Sequence, residues 1–368
     1  MGLGQGALEA LAVSFWRDKR VLVTGHTGFK GAWLSLWLAE AGARVTGVAL
    51  EPETQPALFH QLGLADRMDH RILDIRNADA LRGMVAAVQP DAVFHLAAQS
   101  LVLRGYREPV GTWDVNVMGT IHLLDALRQL EKPCAAVMIT TDKVYENREC
   151  EFGYRETDPL GGHDPYSASK AAAEIAISCW RRSFLTGASG VRVAAARAGN
   201  VIGGGDWSEN RIVPDIARAL GAGKPVEIRN RHATRPWQHV LEPLAGYLQL
   251  ARRLLEHPAG AYQDGFNFGP ELEATRTVGE LVAACLRHWP GEAVDSSPPD
   301  APHEAGRLSL VIERARSRLG WTPRWGFERG VAETIGWYRA ARELDTAGIV
   351  DLTLGQIRRF VGERHADC

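Results

Sequence analysis

The fold is decided by Arg20-Val21-Leu22-Val23-Thr24-Gly25-His26-Thr27-Gly28-Phe29-Lys30-Gly31, where an apolar run leads into a loop with three glycines. The run predicts a β-strand, and residues 31 to 42 predict a helix that ends at Gly42. Glycines between a strand and a helix allow a tight turn and let a pyrophosphate approach the helix N-terminus. The stretch therefore predicts a strand, a dinucleotide-binding loop and a helix.

Strands and helices alternate along the chain as far as residue 196. We predict further strands at 44–50, 71–74, 92–96, 135–140 and 191–196, and further helices at 78–88, 113–130 and 166–184. This alternation is typical of an α/β fold of the Rossmann type, a doubly wound parallel sheet with helices on both faces. From Gly199 the elements become shorter and Gly, Pro and Trp more frequent. We predict a dinucleotide-binding domain at 15–196 and a smaller α/β substrate-binding lobe at 197–368, some segments of which return to the first domain.

The composition favours a globular protein that binds small molecules. The 368 residues are 45% hydrophobic and 23% charged, and the formal net charge is -2, so no basic field for nucleic acid exists. Five scattered cysteines without Cys-x-x-Cys spacing predict neither a metal site nor a disulfide framework. The sequence contains no secretion signal and no long apolar stretch. We therefore predict a cytoplasmic protein with no membrane or nucleic-acid partner.

The cofactor residues are predicted from the positions where strands end. The loop contributes Gly25, Thr27, Gly28, Phe29, Lys30 and Gly31. Lys30 could neutralise a phosphate or could be an ordinary solvated lysine. Asp74 and Ile75 follow a strand at a place suited to adenine, although Asp74 could also cap the next segment. The acidic residue expected to bind a ribose hydroxyl is missing after Leu50 unless Glu51 serves, which leaves NAD and NADP open.

Two groups of side chains predict chemistry. Tyr166 and Lys170 lie four residues apart and share a helix face, where an ammonium beside a phenol lowers the phenol pKa and makes a base. Thr141, Asp142 and Lys143 end a predicted strand, and the carboxyl ends of parallel strands open on the ligand crevice. A hydroxyl, a carboxyl and an ammonium there could hydrogen-bond a sugar, donate a proton and accept one.

The predicted second lobe supplies donors for a diphosphate. Asn200, Arg211 and Arg235 lie in segments rich in Gly, Pro and Trp, and guanidinium groups match phosphate oxygens. Each arginine could equally be an ordinary surface residue.

Five motifs carry a resemblance to a known family. They are Gly25-His26-Thr27-Gly28-Phe29-Lys30-Gly31-Ala32-Trp33, His95-Leu96-Ala97-Ala98-Gln99, Thr140-Thr141-Asp142-Lys143-Val144-Tyr145, Arg197-Ala198-Gly199-Asn200-Val201-Ile202-Gly203-Gly204-Gly205-Asp206-Trp207 and Arg235-Pro236-Trp237-Gln238-His239-Val240. In order and spacing the chain resembles the nucleotide-sugar 4,6-dehydratases of the extended short-chain dehydrogenase/reductase superfamily, from about residue 15 to residue 357.

The resemblance implies NAD as cofactor, CDP-glucose as substrate and a role in deoxysugar biosynthesis, including that for lipopolysaccharide. It also implies a homodimer, or a dimer of dimers, that pairs through helices 113–130 and 166–184. By the same resemblance Leu96, Ala97 and Ala98 contact the cofactor, and Gln99 and His303 contact the substrate.

The implied reaction gives each catalytic residue a role. Tyr166 takes the proton of the C4 hydroxyl while NAD takes the hydride, and Lys170 lowers the Tyr166 pKa and holds the nicotinamide ribose. Thr141 binds the sugar, and Asp142 protonates the C6 hydroxyl, which leaves as water. Lys143 occupies the position of the family's glutamate, so it either takes the C5 proton as a neutral amine or stabilises the enolate while another group acts.

The residues that depart from the family pattern affect the expected nucleotide and sugar contacts more than the expected reaction. Val311 replaces an acid, and Leu103 and Gly105 replace an arginine and a serine. A nucleotide-sugar 4-epimerase is the main alternative, although epimerases usually present small or hydroxyl residues at Asp142 and Lys143. A non-catalytic dinucleotide-binding protein is a remote third possibility.

Overall fold

The computed structural model describes residues 15–186, 189–257, 260–271, 274–296 and 308–362. The strands are β1 (Arg20–Thr24), β2 (Arg44–Ala49), β3 (Asp69–Ile72), β4 (Ala92–His95), β5 (Cys134–Thr140), β6 (Val191–Arg197), β7 (Val201–Ile202), β8 (Val226–Ile228), β9 (Thr234–Pro236), β10 (Gln238–His239), β11 (Gly265–Asn267), β12 (Thr275–Thr277) and β13 (Ala293–Asp295). The helices are α1 (Phe29–Glu40), α2 (Leu58–Gln61), α3 (Ala78–Val88), α4 (Val102–Arg107), α5 (Pro109–Trp113), α6 (Gly119–Leu127), α7 (Pro165–Ser183), α8 (Ile212–Gly221), α9 (Leu241–Glu256), α10 (Val278–His288), α11 (Phe327–Ala340) and α12 (Thr346–Gly362).

Seven parallel strands form the main sheet, in the order β3-β2-β1-β4-β5-β6-β11. β4 and β5 are buried along their whole length, because helices cover both faces of a parallel sheet. The order of the first six strands is that of the Rossmann fold, in which ligands bind outside the carboxyl ends of the strands. The predicted fold class is confirmed.

Two hydrophobic clusters cover the two faces of this sheet. The smaller contains residues of α3 and α6, such as Leu81 and Leu123. The larger joins α1 to the second half of the chain, for example Trp33 to Trp337. β11 also comes from the second half and extends the main sheet beside β6. The division into two domains at residue 196 stays a prediction, and one continuous core crosses that boundary.

The structure shifts two predicted elements. The strand predicted at 71–74 is β3, which ends at Ile72, because Asp74 accepts a hydrogen bond from the Arg76 backbone nitrogen and turns the chain. The helix predicted at 113–130 begins as a π-helical turn at Asp114–Met118 and continues as α6. Within the part of the chain that the structure describes, no helix is long and apolar enough to cross a membrane.

Candidate active site

A cleft of ≈ 1180 Å³ opens at the carboxyl ends of β1, β4, β5 and β6. It is lined by most of the predicted site residues, which are Gly25, Thr27, Gly28, Phe29, Lys30, Gly31, Asp74, Ile75, Leu96, Ala97, Ala98, Gln99, Thr141, Lys143, Tyr166, Lys170, Asn200, Arg211 and Arg235. Asp142 lies behind the cleft wall and is fully buried. His303 lies outside the described residues, so its predicted substrate contact stays a prediction.

The glycine loop fits a dinucleotide pyrophosphate. Gly25 has a φ of +77°, and a Cβ there would lie 2.6 Å from the Ala97 backbone nitrogen. A Cβ on Gly31 would lie 2.1 Å from the Gly25 carbonyl oxygen. Gly28 precedes α1 without a side-chain cap, and the first turn contains no acidic residue, so the helix N-terminus offers free N–H groups to an anion.

On the adenosine side of the cleft, two predicted cofactor residues already have hydrogen-bond partners in the protein. The Thr27 hydroxyl donates a hydrogen bond to the Leu50 carbonyl oxygen, 2.9 Å away, and so stabilises the loop. Arg76 hydrogen-bonds the Asp74 carboxylate and lowers its pKa. Asp74 therefore does not cap α3, because Asn77 does so by accepting from the Ala80 backbone nitrogen, and Asp74 still lines the cleft. Ile75 is buried at the cleft wall.

Tyr166 is positioned by the start of α7. Pro165 is the first helical residue, and the Asp164 carboxylate accepts hydrogen bonds from the backbone nitrogens of Tyr166 and Ser167, both at 3.0 Å. Burial raises the pKa of Tyr166 to about 12, while a hydrogen bond with Thr141 and the charge of Arg211 act in the opposite direction. Burial has the larger effect on the phenol, and the predicted role of Lys170 in lowering the pKa of Tyr166 stays a prediction.

Lys170 is buried at the wall of the cleft. Its Nζ donates to the Ile139 carbonyl oxygen, 3.0 Å away. Burial lowers the pKa of Lys170 to about 8, and the Glu174 carboxylate one turn along α7 opposes that effect. Glu174 in turn accepts hydrogen bonds from Arg197 Nε and Nη2, both at 2.9 Å, and from the Thr140 hydroxyl at 2.6 Å. This buried ion pair ties α7 to β5 and β6 beneath the cleft.

Asp142 has one satisfied and one unsatisfied carboxylate oxygen. The Thr141 hydroxyl donates to Oδ1 at 2.9 Å, and Lys143 Nζ lies 3.6 Å from the same oxygen. Within the described residues, Oδ2 has no hydrogen-bond partner. Gly199 leaves the necessary room, because a Cβ at that position would lie 1.9 Å from Oδ2. A buried carboxyl group with a free oxygen beside the cleft can donate a proton in its protonated form and accept one in its ionised form.

Lys30 enters the cleft from α1. Its Nζ lies 5.9 Å from the centre of the Tyr247 ring. Burial lowers the pKa of Lys30 to about 8, and the cations Arg211 and Lys170 lower it further, against the opposing effect of Asp142 and Asp206. The phosphate contact predicted for Lys30 stays a prediction, and its charged neighbours place it near the catalytic groups.

The predicted substrate residues differ in how many of their polar groups already have partners within the protein. Gln99 is engaged at both ends of its amide, because Nε2 donates to the Thr112 hydroxyl at 2.9 Å and Oε1 accepts from the Leu101 backbone nitrogen. Asn200 has a φ of +43°, and in the described structure its Nδ2 is buried without a partner. Arg211 pairs with Asp206 at 3.0 Å. These roles stay predictions.

The sequence analysis missed two residues that shape the cleft. The Asn116 side chain donates to the Ser169 hydroxyl at 2.9 Å and to the Gln99 carbonyl oxygen at 3.0 Å, so it holds α7 against the loop after β4. Asn116 lies inside the helix predicted at 113–130, and nothing in the sequence pattern marks it as a site residue. Trp237 lines the cleft with a buried Nε1 that finds no acceptor within the described residues, and it belongs to a motif already noted.

The family of the chain follows from comparison with known sequences. The sequence model of the GDP-mannose 4,6 dehydratase family matches residues 22–334. The chain belongs to this family. A CDP-glucose 4,6-dehydratase from Salmonella typhimurium is 48% identical over 334 residues, which cover 89% of the chain and 92% of the relative. The predicted resemblance to the nucleotide-sugar 4,6-dehydratases is confirmed.

Solved structures agree with this membership of the GDP-mannose 4,6 dehydratase family. A dTDP-glucose 4,6-dehydratase from Streptomyces venezuelae, solved with NAD bound, matches with a TM-score of 0.73 and 25% identity, covering 87% of this chain and 97% of that one. A UDP-glucose 4-epimerase from Thermotoga maritima, at 22% identity and a TM-score of 0.75, shares the fold over 88% of this chain and 99% of that one. The family is NAD-dependent, and its 4,6-dehydratases are hydro-lyases that act on nucleotide sugars.

Proposed function

We propose that the chain converts CDP-D-glucose to CDP-4-keto-6-deoxy-D-glucose and water. The observation that carries this proposal is the grouping of Thr141, Asp142 and Lys143 at the end of β5, beside Tyr166 and Lys170. A 4-epimerase needs no acid to expel a C6 hydroxyl, so the buried Asp142 favours dehydration. The relative at 48% identity is named for CDP-glucose, which supports this substrate over other nucleotide sugars.

The residues fit NAD. Gly25, Gly28 and Gly31 would hold its pyrophosphate at the start of α1, and Lys170 would hold the nicotinamide ribose. Bound NAD supplies the acceptor for the hydrogen of C4 and the donor that later delivers it to C6.

The side chains of the cleft handle the protons. Tyr166 takes the proton of the C4 hydroxyl, and positive charge beside the phenol must offset the burial that raises its pKa. The C4 ketone makes the hydrogen on C5 acidic. Asp142 then donates a proton to the C6 hydroxyl, which leaves as water. Lys143, next to Asp142, acts on C5 as base or as the cation that stabilises the enolate.

A product assay tests the proposed function. The protein is incubated with NAD and with CDP-, dTDP-, GDP- and UDP-hexoses, and the alkali-induced ultraviolet absorbance of a 4-keto-6-deoxy sugar is measured. We expect the strongest signal with CDP-glucose. Absence of this product with every nucleotide sugar would rule out a dehydratase, and a change of configuration at C4 alone would indicate an epimerase.

We further propose a homodimer that pairs through α5, the following π-helical turn and α7. These elements expose large apolar side chains, with 82% exposure at Val110 and 61% at Ile175. Trp113 and Met118 are also exposed there. Sedimentation should show a dimer that Ile175→Glu weakens, and an unchanged sedimentation coefficient for that variant would exclude this face. The cytoplasmic location and the deoxysugar pathway stay predictions.

A further inference from the structure

Trp237 carries a buried polar group for which the protein supplies no partner. Its side chain lines the cleft and is 7% exposed, and within the described residues its Nε1 has no hydrogen-bond acceptor. An indole N–H can only donate, and a buried donor without an acceptor is costly to the folded protein. Such a donor at the wall of a cleft indicates an acceptor that arrives with a ligand.

The backbone around Trp237 fixes the direction of this donor. Residues two apart in an extended segment point to the same side, and Arg235 and Trp237 both line the cleft. The next residue, Gln238, is buried, and its Nε2 donates to the Gly199 carbonyl oxygen, 3.2 Å away. Trp237 is therefore held beside the turn that follows β6, with its side chain directed towards the cleft.

This position is close to the group that acts on the sugar in the proposed reaction. β10 pairs in parallel with β7, and the register places Trp237 next to Asn200. The Asn200 Nδ2 is also buried without a partner in the described part of the chain. The preceding residue, Gly199, lies against the Asp142 carboxylate. Two N–H donors that lack acceptors thus lie together beside the proton donor of the elimination.

A phosphoryl group is the ligand that these donors fit. Phosphoryl oxygens only accept hydrogen bonds, whereas a sugar hydroxyl also donates one, and an indole N–H can satisfy no donor. Arg235 adds positive charge to the same wall of the cleft, which favours an anionic group.

We propose that Trp237 Nε1 donates a hydrogen bond to the β-phosphoryl group of the nucleotide sugar. This inference rests on the dehydratase function proposed above. The β-phosphoryl group is bonded to C1 of the sugar, so it is the phosphoryl group nearest to the ring on which Asp142 acts. The contact holds the sugar at C1 while the chemistry takes place at C4, C5 and C6.

Trp237→Phe removes the N–H and keeps an aromatic ring, so it isolates the proposed hydrogen bond. The NAD-loaded protein is titrated calorimetrically with CMP, CDP and CDP-glucose. The variant should bind CDP and CDP-glucose about tenfold more weakly or worse, because a hydrogen bond to a charged acceptor is lost. Its affinity for CMP, which has no β-phosphoryl group, should not change, and neither should its affinity for NAD.

Trp180→Phe is the matched control. The Trp180 Nε1 is likewise buried without a partner within the described residues, but this side chain packs beside Phe184 near the end of α7. Its loss should leave the affinity for all three nucleotides unchanged. Thermal unfolding separates binding from packing. Trp237→Phe should not lower the melting temperature of the free protein, and it should reduce the increase in melting temperature that CDP causes.

Equal affinities of Trp237→Phe and the wild type for CDP would overturn the proposal. Weaker binding of CDP-glucose alone would place the contact on the sugar, and an equal loss for CMP and CDP would indicate packing against the nucleoside. Both results would reject the β-phosphoryl assignment. In each case, product from the wild type with CDP-glucose would leave the dehydratase function intact. A wild-type protein that binds none of the three nucleotides would refute the proposed substrate and this contact with it.

Discussion

The two ends of the cleft differ in how completely the protein satisfies its own polar groups. At the Tyr166 and Lys170 end, the Lys170 ammonium donates to the Ile139 carbonyl oxygen, and the Glu174 carboxylate accepts three hydrogen bonds from Arg197 and Thr140. At the Asp142 end, Asp142 Oδ2 and Asn200 Nδ2 are buried without partners within the described residues. Oxidation therefore has a rigid, preorganised site, while elimination has a site whose hydrogen bonds the substrate must complete.

The difference follows from the tasks of the two ends. Hydride transfer needs fixed distances, which the buried ion pair of Glu174 with Arg197 supplies by joining α7 to the sheet. Elimination needs groups that change protonation, and a group without an internal partner changes protonation at lower cost. Substitutions at the Tyr166 and Lys170 end should prevent both oxidation and dehydration. Substitutions at the Asp142 end should prevent dehydration while C4 oxidation continues.

The largest effect is expected from Tyr166→Phe. Removing the phenol removes the base for the C4 hydroxyl, so product formation should fall by about 10³-fold or more, within the usual range for a lost general base. No reduced cofactor should accumulate in the near-ultraviolet spectrum on mixing with substrate. Tyr106→Phe, on the exposed part of α4, is the control and should behave as wild type. Accumulation of reduced cofactor in Tyr166→Phe would contradict the assignment.

Asp142→Asn should separate C4 oxidation from dehydration. The amide cannot donate a proton to the C6 hydroxyl, so dehydration should slow by about 100-fold while oxidation at C4 continues. The expected signature is reduced cofactor that builds up in a stopped-flow trace without product. Asp79→Asn is a control at an exposed ion pair on α3. Equal loss of oxidation and dehydration in Asp142→Asn would mean that the two ends are not separable.

Most of the sheet and the positions of the catalytic side chains could be predicted, because β1, β4 and β5 are continuous apolar runs that end in polar or glycine residues. The hydrogen-bond and packing partners of those side chains could not be predicted. Gln99 is bound by Thr112, Arg197 by Glu174, and Asp142 is confined by Gly199. Such contacts join segments far apart in the chain, and local pattern carries no information about them. The raised pKa of Tyr166 has the same origin, since burial is set by the whole fold.

Gly199→Ala should slow dehydration without altering the residues that carry out C4 oxidation. A Cβ 1.9 Å from Asp142 Oδ2 must displace the carboxylate, and a misplaced acid should slow dehydration by about tenfold or more. Rates of C4 oxidation should change little. Gly336→Ala in α11 is the matched control, because no atom lies within 4 Å of its added Cβ. Dehydration at the wild-type rate in Gly199→Ala would show that the position of Asp142 is not critical.

The smallest effect concerns acid stability on the cofactor side of the cleft, where His26 lies inside the glycine loop. Its Nε2 is 2.6 Å from His70 Nδ1, and burial together with His70 lowers the pKa of His26 to about 4, from 6.5 in the unfolded chain.

Because the folded pKa of His26 is the lower one, the unfolded state binds protons first. The stability that His26 contributes is therefore complete above pH 6.5 and is lost as the pH falls towards 4. At pH 5.5 the unfolding free energy should be about 1 kcal/mol smaller on account of His26. Urea titrations at a series of pH values should give a shallower slope in His26→Gln than in the wild type and in the exposed control His60→Gln, because the buried His95 and His239 contribute equally to all three. An equal slope in His26→Gln and the wild type would show that His26 does not contribute to the acid sensitivity of the cofactor side.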